Sequence, residues 1–113
     1  MSELLQGTLE LLVLKTLSLE PMHGWGIAQR IEARSEDVFR VNQGSLYPAL
    51  QRMLRKGWIR SEWRVTENNR RARYYRISPA GKAHLEAETS SFLRYAELVG
   101  GILTGPAARE VVR

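Results

Sequence analysis

Between Leu4 and Leu19 apolar residues stand at positions 4, 5, 9, 11, 12, 13, 14, 17 and 19, too dense for a single helical face. A helix of this kind needs burial on two sides. One side faces its own domain, and a second subunit is the candidate for the other, with Leu5 and Leu9 assigned to that contact. Pro21 ends the pattern. From His23 to Ala33 a narrower stripe of Ile27, Ala28 and Ile31 predicts a second helix, and Gly24 and Gly26 near its start suggest a close approach of backbone there.

Val38 to Val41 predicts a short extended piece, after which Asn42 or Ser45 can cap a third helix running to Lys56 and stopped by Gly57. Pro48 is expected within its first turn, where a missing N–H costs nothing. Leu46, Leu50, Met53 and Leu54 are spaced for the core, which leaves Ser45, Gln51, Arg52, Arg55 and Lys56 facing outward. From Trp58 to Val65 the residues alternate. Ile59, Ser61, Trp63 and Val65 fall on one face and Arg60, Glu62 and Arg64 on the other, the pattern of a half-buried strand. Glu67 to Arg70 supplies a turn, and Arg73 to Ile77 reads as the returning strand.

Ser78 followed by Pro79 predicts the cap and first position of a fourth helix extending to about Leu103. It would be roughly 37 Å long at 1.5 Å per residue, too long to pack wholly on one small domain. Leu85, Phe92 and Val99 recur every seven residues and Tyr95 thickens the seam, which predicts self-association through this helix. Gly100 and Gly101 weaken the last turns, and Gly105 and Pro106 end the order ahead of a frayed tail. The expected fold is therefore mainly α with a small β-hairpin (α+β). Residues 3–78 would form a winged helix-turn-helix domain, residues 79–104 a dimerisation helix, and residues 105–113 a disordered tail.

Charge sharpens this picture. From Arg40 to Arg76 ten Lys or Arg face two acids, Glu62 and Glu67, whereas the whole chain of 113 residues carries only +5. The rest of the chain is thus net acidic. A concentrated field of one sign destabilises a compact domain by self-repulsion, and a polyanionic partner is its commonest reason. All but three of the basic residues are Arg, whose planar fork suits phosphate oxygens and guanine edges. The candidate partner is double-stranded DNA.

The candidate DNA-binding residues follow from position. Gln43, Ser45 and Tyr47 lie near the start of the third helix, where backbone N–H groups can meet a phosphate. Gln51, Arg52 and Arg55 occupy its outward face, and Arg70, Arg71 and Arg73 the hairpin. No cysteine is present, which excludes disulfides and thiolate metal sites. His23 has no ligand partner at metal spacing and is expected to cap or pack at a helix start. No phosphate loop, nucleophile elbow or catalytic carboxylate pair appears, so neither enzymatic activity nor a cofactor is expected. The first helix lacks a basic leader region and an apolar run of membrane-spanning length, giving a cytoplasmic expectation with no membrane partner.

Four blocks then occur in order. These are Gly7-Thr8-Leu9-Glu10-Leu11-Leu12; His23-Gly24-Trp25-Gly26-Ile27; Gly44-Ser45-Leu46-Tyr47-Pro48-Ala49-Leu50; and Arg73-Tyr74-Tyr75 followed by Ser78-Pro79-Ala80-Gly81. Together they resemble the short subfamily of the PadR family of bacterial transcriptional regulators, over nearly residues 5 to 95. The resemblance implies a homodimeric winged-helix repressor that binds an inverted-repeat operator and, in many members, is released by a small-molecule effector. Phe92 and Tyr95 are the candidate effector contacts, and Trp25, Trp58 and Trp63 are weighed as cavity linings against ordinary packing. The sequence departs from the family at Trp58, where a smaller aliphatic residue is usual, and at Asn68 and Asn69, where glycine is common. An alternative from a different class is a winged-helix interaction module that turns the same cationic surface on an acidic protein.

Overall fold

The computed structural model describes residues 2–3 and 6–106. Its elements run β1 (Ser2–Glu3), α1 (Gln6–Leu19), β2 (Met22–His23), α2 (Gly24–Arg34), β3 (Phe39–Arg40), α3 (Gln43–Arg55), β4 (Ile59–Val65), β5 (Arg71–Ile77) and α4 (Pro79–Thr104). Helices, hairpin and long last helix appear in the expected order. Leu5 and residues 107–113, for which a dimer contact and a frayed tail were expected, lie outside the described residues.

The core is built around α1, which packs against α2, α3, β5 and α4. Leu9, Val13, Leu14 and Leu17 are buried from α1, joined by Ile27, Ala28 and Ile31 from α2 and by Leu46, Ala49, Leu50 and Met53 from α3. The stripes predicted for α2 and α3 thus face inward, and Leu54 is partly buried against the same cluster. Thr16 is buried with them, its hydroxyl donating to the Leu12 carbonyl at 2.8 Å. Leu9 is only 4% exposed within its own chain. This corrects its assignment to a dimer face, because it has no surface left for a second copy.

Local chemistry explains the element ends. His23 caps α2, with Nδ1 accepting the Gly26 N–H at 3.0 Å. Of the two candidate caps for α3, Asn42 is the one used, with Oδ1 accepting the Ser45 N–H at 2.8 Å. With Gln43 as the first helical residue, Pro48 falls in the second turn and not the first. It therefore removes a hydrogen bond to the Gly44 carbonyl, at an exposed residue where solvent can satisfy the freed acceptor.

At the far end of α3, Gly57 adopts φ +78°, a left-handed conformation that suits glycine. Its N–H donates to the Leu54 carbonyl at 3.1 Å, and the Trp58 N–H donates to Met53 at 3.0 Å, the paired bonds of a Schellman terminus.

The sheet has three strands in the order β2-β5-β4, all antiparallel. The hairpin β4–β5 was expected; the two-residue β2 was not, because so short a piece carries no alternation to read. A separate parallel pairing joins β1 to β3. Asn69, at φ +60°, turns the hairpin, and Asn is among the few residues that enter this region readily.

Alternation along β4 is present but its burial is not. Ile59 is in the core, whereas Trp63 is 59% exposed and Val65 more so. The hairpin projects beyond the core as a wing, so the apolar face of β4 runs past anything that could cover it.

Residues at the start of α4 close the domain. The Ser78 N–H donates to the Trp58 carbonyl at 3.0 Å, and its hydroxyl donates to the Gly57 carbonyl at 2.6 Å while accepting the Gly81 N–H at 3.0 Å. Trp58 stacks face to face on His84, with ring centroids 3.6 Å apart. A Cβ added to Gly81 would collide with the Trp58 carbonyl and lie 2.8 Å from Ile77 Cγ1. Because the nearest obstacle is backbone, Gly81→Ala is expected to destabilise the fold by about 2–4 kcal/mol, read as a lower midpoint in urea unfolding with an unchanged slope.

Candidate nucleic-acid interface

A cleft of about 700 Å³ lies between the N-terminus of α2, the exposed face of α3 and the wing. Tyr47 and Gln51 reach it from α3, and Trp63, Arg70, Arg71 and Arg73 from the wing. Five of the nine expected DNA-binding residues therefore share one concavity. Glu67 also lines it, so the cleft is cationic with one acidic residue at its margin.

The wing arginines are held by neighbours. Arg73 Nε donates to Ser61 Oγ at 2.9 Å, and the Arg71 guanidinium lies over the Trp63 ring at 5.2 Å. Register explains both contacts, since Trp63 pairs with Arg73 and Val65 with Arg71, placing these side chains on one face of the hairpin. On the opposite face Arg64 Nε bonds Glu62 at 2.6 Å and its guanidinium lies over Tyr74 at 5.1 Å. That bond holds the Glu62 carboxyl below its ordinary range.

Tyr47 is about half exposed. Its hydroxyl would lie 3.3 Å from a Cβ on Gly24, so the glycine at the start of α2 makes room for the ring, the close approach that Gly24 suggested. Tyr75, directly below the cleft, is buried, and burial pushes its phenol above the ordinary value.

Gln43, Ser45 and Arg55 are exposed on α3 but do not line the cleft. The Ser45 N–H is already taken by Asn42, which leaves the amides of Gln43 and Gly44 as the orphan donors of the first turn.

Arg52 is placed differently from expectation. Its Nε donates to Glu10 Oε2 on α1 at 2.7 Å, and the two side chains are 26% and 12% exposed. It is a tie between α3 and α1 and does not stand free on the outward face. The reason is geometric: position 52 falls at the margin between the buried stripe and the exposed face, within reach of an acid on the neighbouring helix.

Trp63 and Trp25, weighed from sequence only as linings of an effector cavity, stand in the same cleft as the candidate DNA-binding residues. Trp25 is exposed beside His23, and both line the cleft. The signal for Trp63 was the length of β4, which carries more apolar residues than a small core can cover.

The residues of α4 proposed for pairing are in view. Leu85 packs partly on the core, Val99 is half-buried, and Phe92 and Tyr95 are exposed. Phe92 and Tyr95 also line a groove of about 350 Å³ against Gly7, Thr8 and Leu11 of α1. None of the three tryptophans lines it. Among the described residues no group of three or more His, Asp or Glu side chains is placed to hold a metal, and no helix is long and apolar enough to cross a membrane.

Three helices, a wing and a cationic cleft between the third helix and that wing define a winged-helix protein of the transcription-regulator type. A model described as the Transcriptional regulator PadR-like family matches residues 13–87. A transcriptional regulator of Mycobacterium tuberculosis is 33% identical over 102 residues, covering 89% of this chain and 92% of its own length. The solved structure of a PadR-like transcriptional regulator from Bacillus cereus superposes with a TM-score of 0.78 at 26% identity, over 89% of this chain and 96% of that one. A Streptococcus mutans protein shares the fold at a TM-score of 0.82, with 23% identity over 96% and 98% of the two chains.

The chain belongs to the PadR-like family of transcriptional regulators, and is a regulator, not an enzyme. The Glu10–Arg52 tie yields a direct test. In a double-mutant cycle of Glu10→Gln and Arg52→Ala, a coupling of about 1 kcal/mol is expected in unfolding free energy, which an Arg52 side chain free in solution would not give.

Proposed function

We propose that the chain is a homodimeric, sequence-specific DNA-binding repressor that recognises an inverted-repeat operator. The observation that carries the DNA-binding reading is the cleft, in which Gln51 and Tyr47 on α3 face Arg70, Arg71 and Arg73 on the wing. In this reading α3 enters the major groove, Gln51 reads base edges, and the wing arginines hold the phosphate backbone. Gln43, Ser45 and Arg55 extend the contact along α3.

The homodimer reading is supported by α4. Of its 26 residues only Gly81 is buried, while Phe92, Leu93, Tyr95, Leu98, Ile102 and Leu103 stand exposed. So many uncovered large apolar side chains on one helix mark an interface. A second copy meeting this helix two-fold would cover the same residues on both chains. Repression and effector release rest on the family, and the groove holding Phe92 and Tyr95 is the candidate place for an effector.

The deciding experiment is selection of sites from a random duplex pool by the purified protein at about 150 mM salt. An inverted repeat with half-sites about 34 Å apart, or a multiple, is the expected result. Salt-sensitive binding without sequence preference would favour the alternative, an interaction module for an acidic protein. Each subunit neutralising about 3 to 5 phosphates would lower affinity by several powers of ten between 50 and 200 mM salt.

Two substitutions separate the roles. Arg71→Ala is expected to weaken all duplexes alike and flatten the salt dependence, whereas Gln51→Ala should relax preference at one or two base pairs at a cost of about 1–3 kcal/mol on the preferred site. Titration of both variants against the selected site and a shuffled duplex reads the difference.

A further inference from the structure

A groove of about 300 Å³ shares no lining residue with either the α3–wing cleft or the α1–α4 groove. It opens where the C-terminal halves of α1 and α2 meet β3. Its floor is apolar, formed by Leu12, Ile31 and Phe39, and Leu19 at the end of α1 stands beside it, half exposed. Its rim is cationic: Lys15, Arg30 and Arg34 line it, and no acid does among the described residues. Arg30 is engaged by Glu20 at 3.2 Å. Lys15 and Arg34 are exposed and make no ion pair among the described residues.

Apolar floor and unmatched cations together specify a ligand. The floor gains by removing hydrocarbon from water, and the two uncompensated cations favour one anionic head at the mouth. A neutral hydrocarbon would leave the rim unused, and a compact anion such as phosphate would leave the floor wet. The volume matches the lower end of small-molecule sites.

We propose that this groove is a binding site for an amphipathic carboxylate, an aliphatic or aromatic body lying on Leu12, Ile31 and Phe39 with its carboxylate between Lys15 and Arg34. The site stands apart from the DNA-binding reading and is testable without DNA. It is also chemically unlike the α1–α4 groove, whose lining among the described residues carries Glu88 and no cation.

The test is a titration of the full chain with sodium decanoate below its micellar range, followed by amide proton–nitrogen chemical shifts, with decanol and inorganic phosphate as comparison probes. Saturable shifts confined to residues 12–19, 30–35 and 39 are expected, with weaker binding of decanol and none of phosphate. The exposed-site double variant Lys15→Glu/Arg34→Glu should weaken decanoate by roughly fivefold to tenfold and leave decanol unaffected. Its folding is checked by an unchanged spectrum away from the groove.

Three results would overturn the proposal: shifts centred on Thr8, Leu11 and Ser91 instead, equal affinity for decanoate and decanol, or decanoate affinity untouched by charge reversal. Should the double variant unfold, Arg34→Gln alone is read against the same ligands, with weakened decanoate and unchanged decanol expected and equal losses overturning the assignment.

Discussion

Everything on either side of the wing depends on one buried hydroxyl. Ser78 reaches back through its N–H and Oγ to the two residues just past the end of α3 while capping α4 with the same oxygen. The carbonyls it satisfies belong to Gly57 and Trp58, the residues that also complete the terminus of α3. The end of one helix and the start of another are thus parts of a single hydrogen-bonded knot. Gly81 allows that knot to close, because a side chain there has no room against the Trp58 carbonyl. The Trp58–His84 stack adds a second, apolar fastening one turn further along.

A second constraint is the distribution of what the core can cover. Among the described residues fifteen buried hydrophobic side chains draw on α1, α2, α3, the segment leading into α3 and the sheet, and they leave no cover for the outer half of the hairpin or most of α4. Both extensions expose apolar surface for different ends. On the wing it is Trp63 and Val65, with the Trp63 ring beneath the Arg71 guanidinium, where the ring face orients the cation. On α4 it is a row of aliphatic and aromatic residues, with only one acid–base pair, Arg94 and Glu97, among the ion pairs found.

Much of this was legible in the sequence because each local signal agreed with the global pattern. The caps at His23, Asn42 and Ser78, the stop at Gly57 and the inward stripes of α2 and α3 could be read directly from residue type and spacing. What escaped had tertiary causes. Periodicity turns Arg52 outward because it cannot see Glu10, 42 positions away. The burial of Leu9 is not legible either, because an apolar excess on α1 does not reveal which residues its own domain takes. Trp63 looked half-buried because alternation fixes a face and says nothing about what lies opposite. The turn that holds Pro48 depends on which of two competing residues caps α3, and the earlier one, Asn42, does. The cleft itself brings together positions 23 to 25, 47 to 51 and 63 to 75, a juxtaposition that only the fold supplies.

The knot at Ser78 also makes α4 a lever. Its 26 residues span roughly 39 Å at 1.5 Å per residue, and the molecule as a whole extends 64 × 30 × 22 Å. With no linker between α3 and α4 beyond the wing, a tilt of about 5° at the knot displaces the far tip of α4 by roughly 3.4 Å, the rise of one base pair. In a two-fold assembly fastened along α4, the spacing of the two α3 helices would be geared to that angle. Small changes in packing around Trp58 and His84 would then be felt as changes in reach.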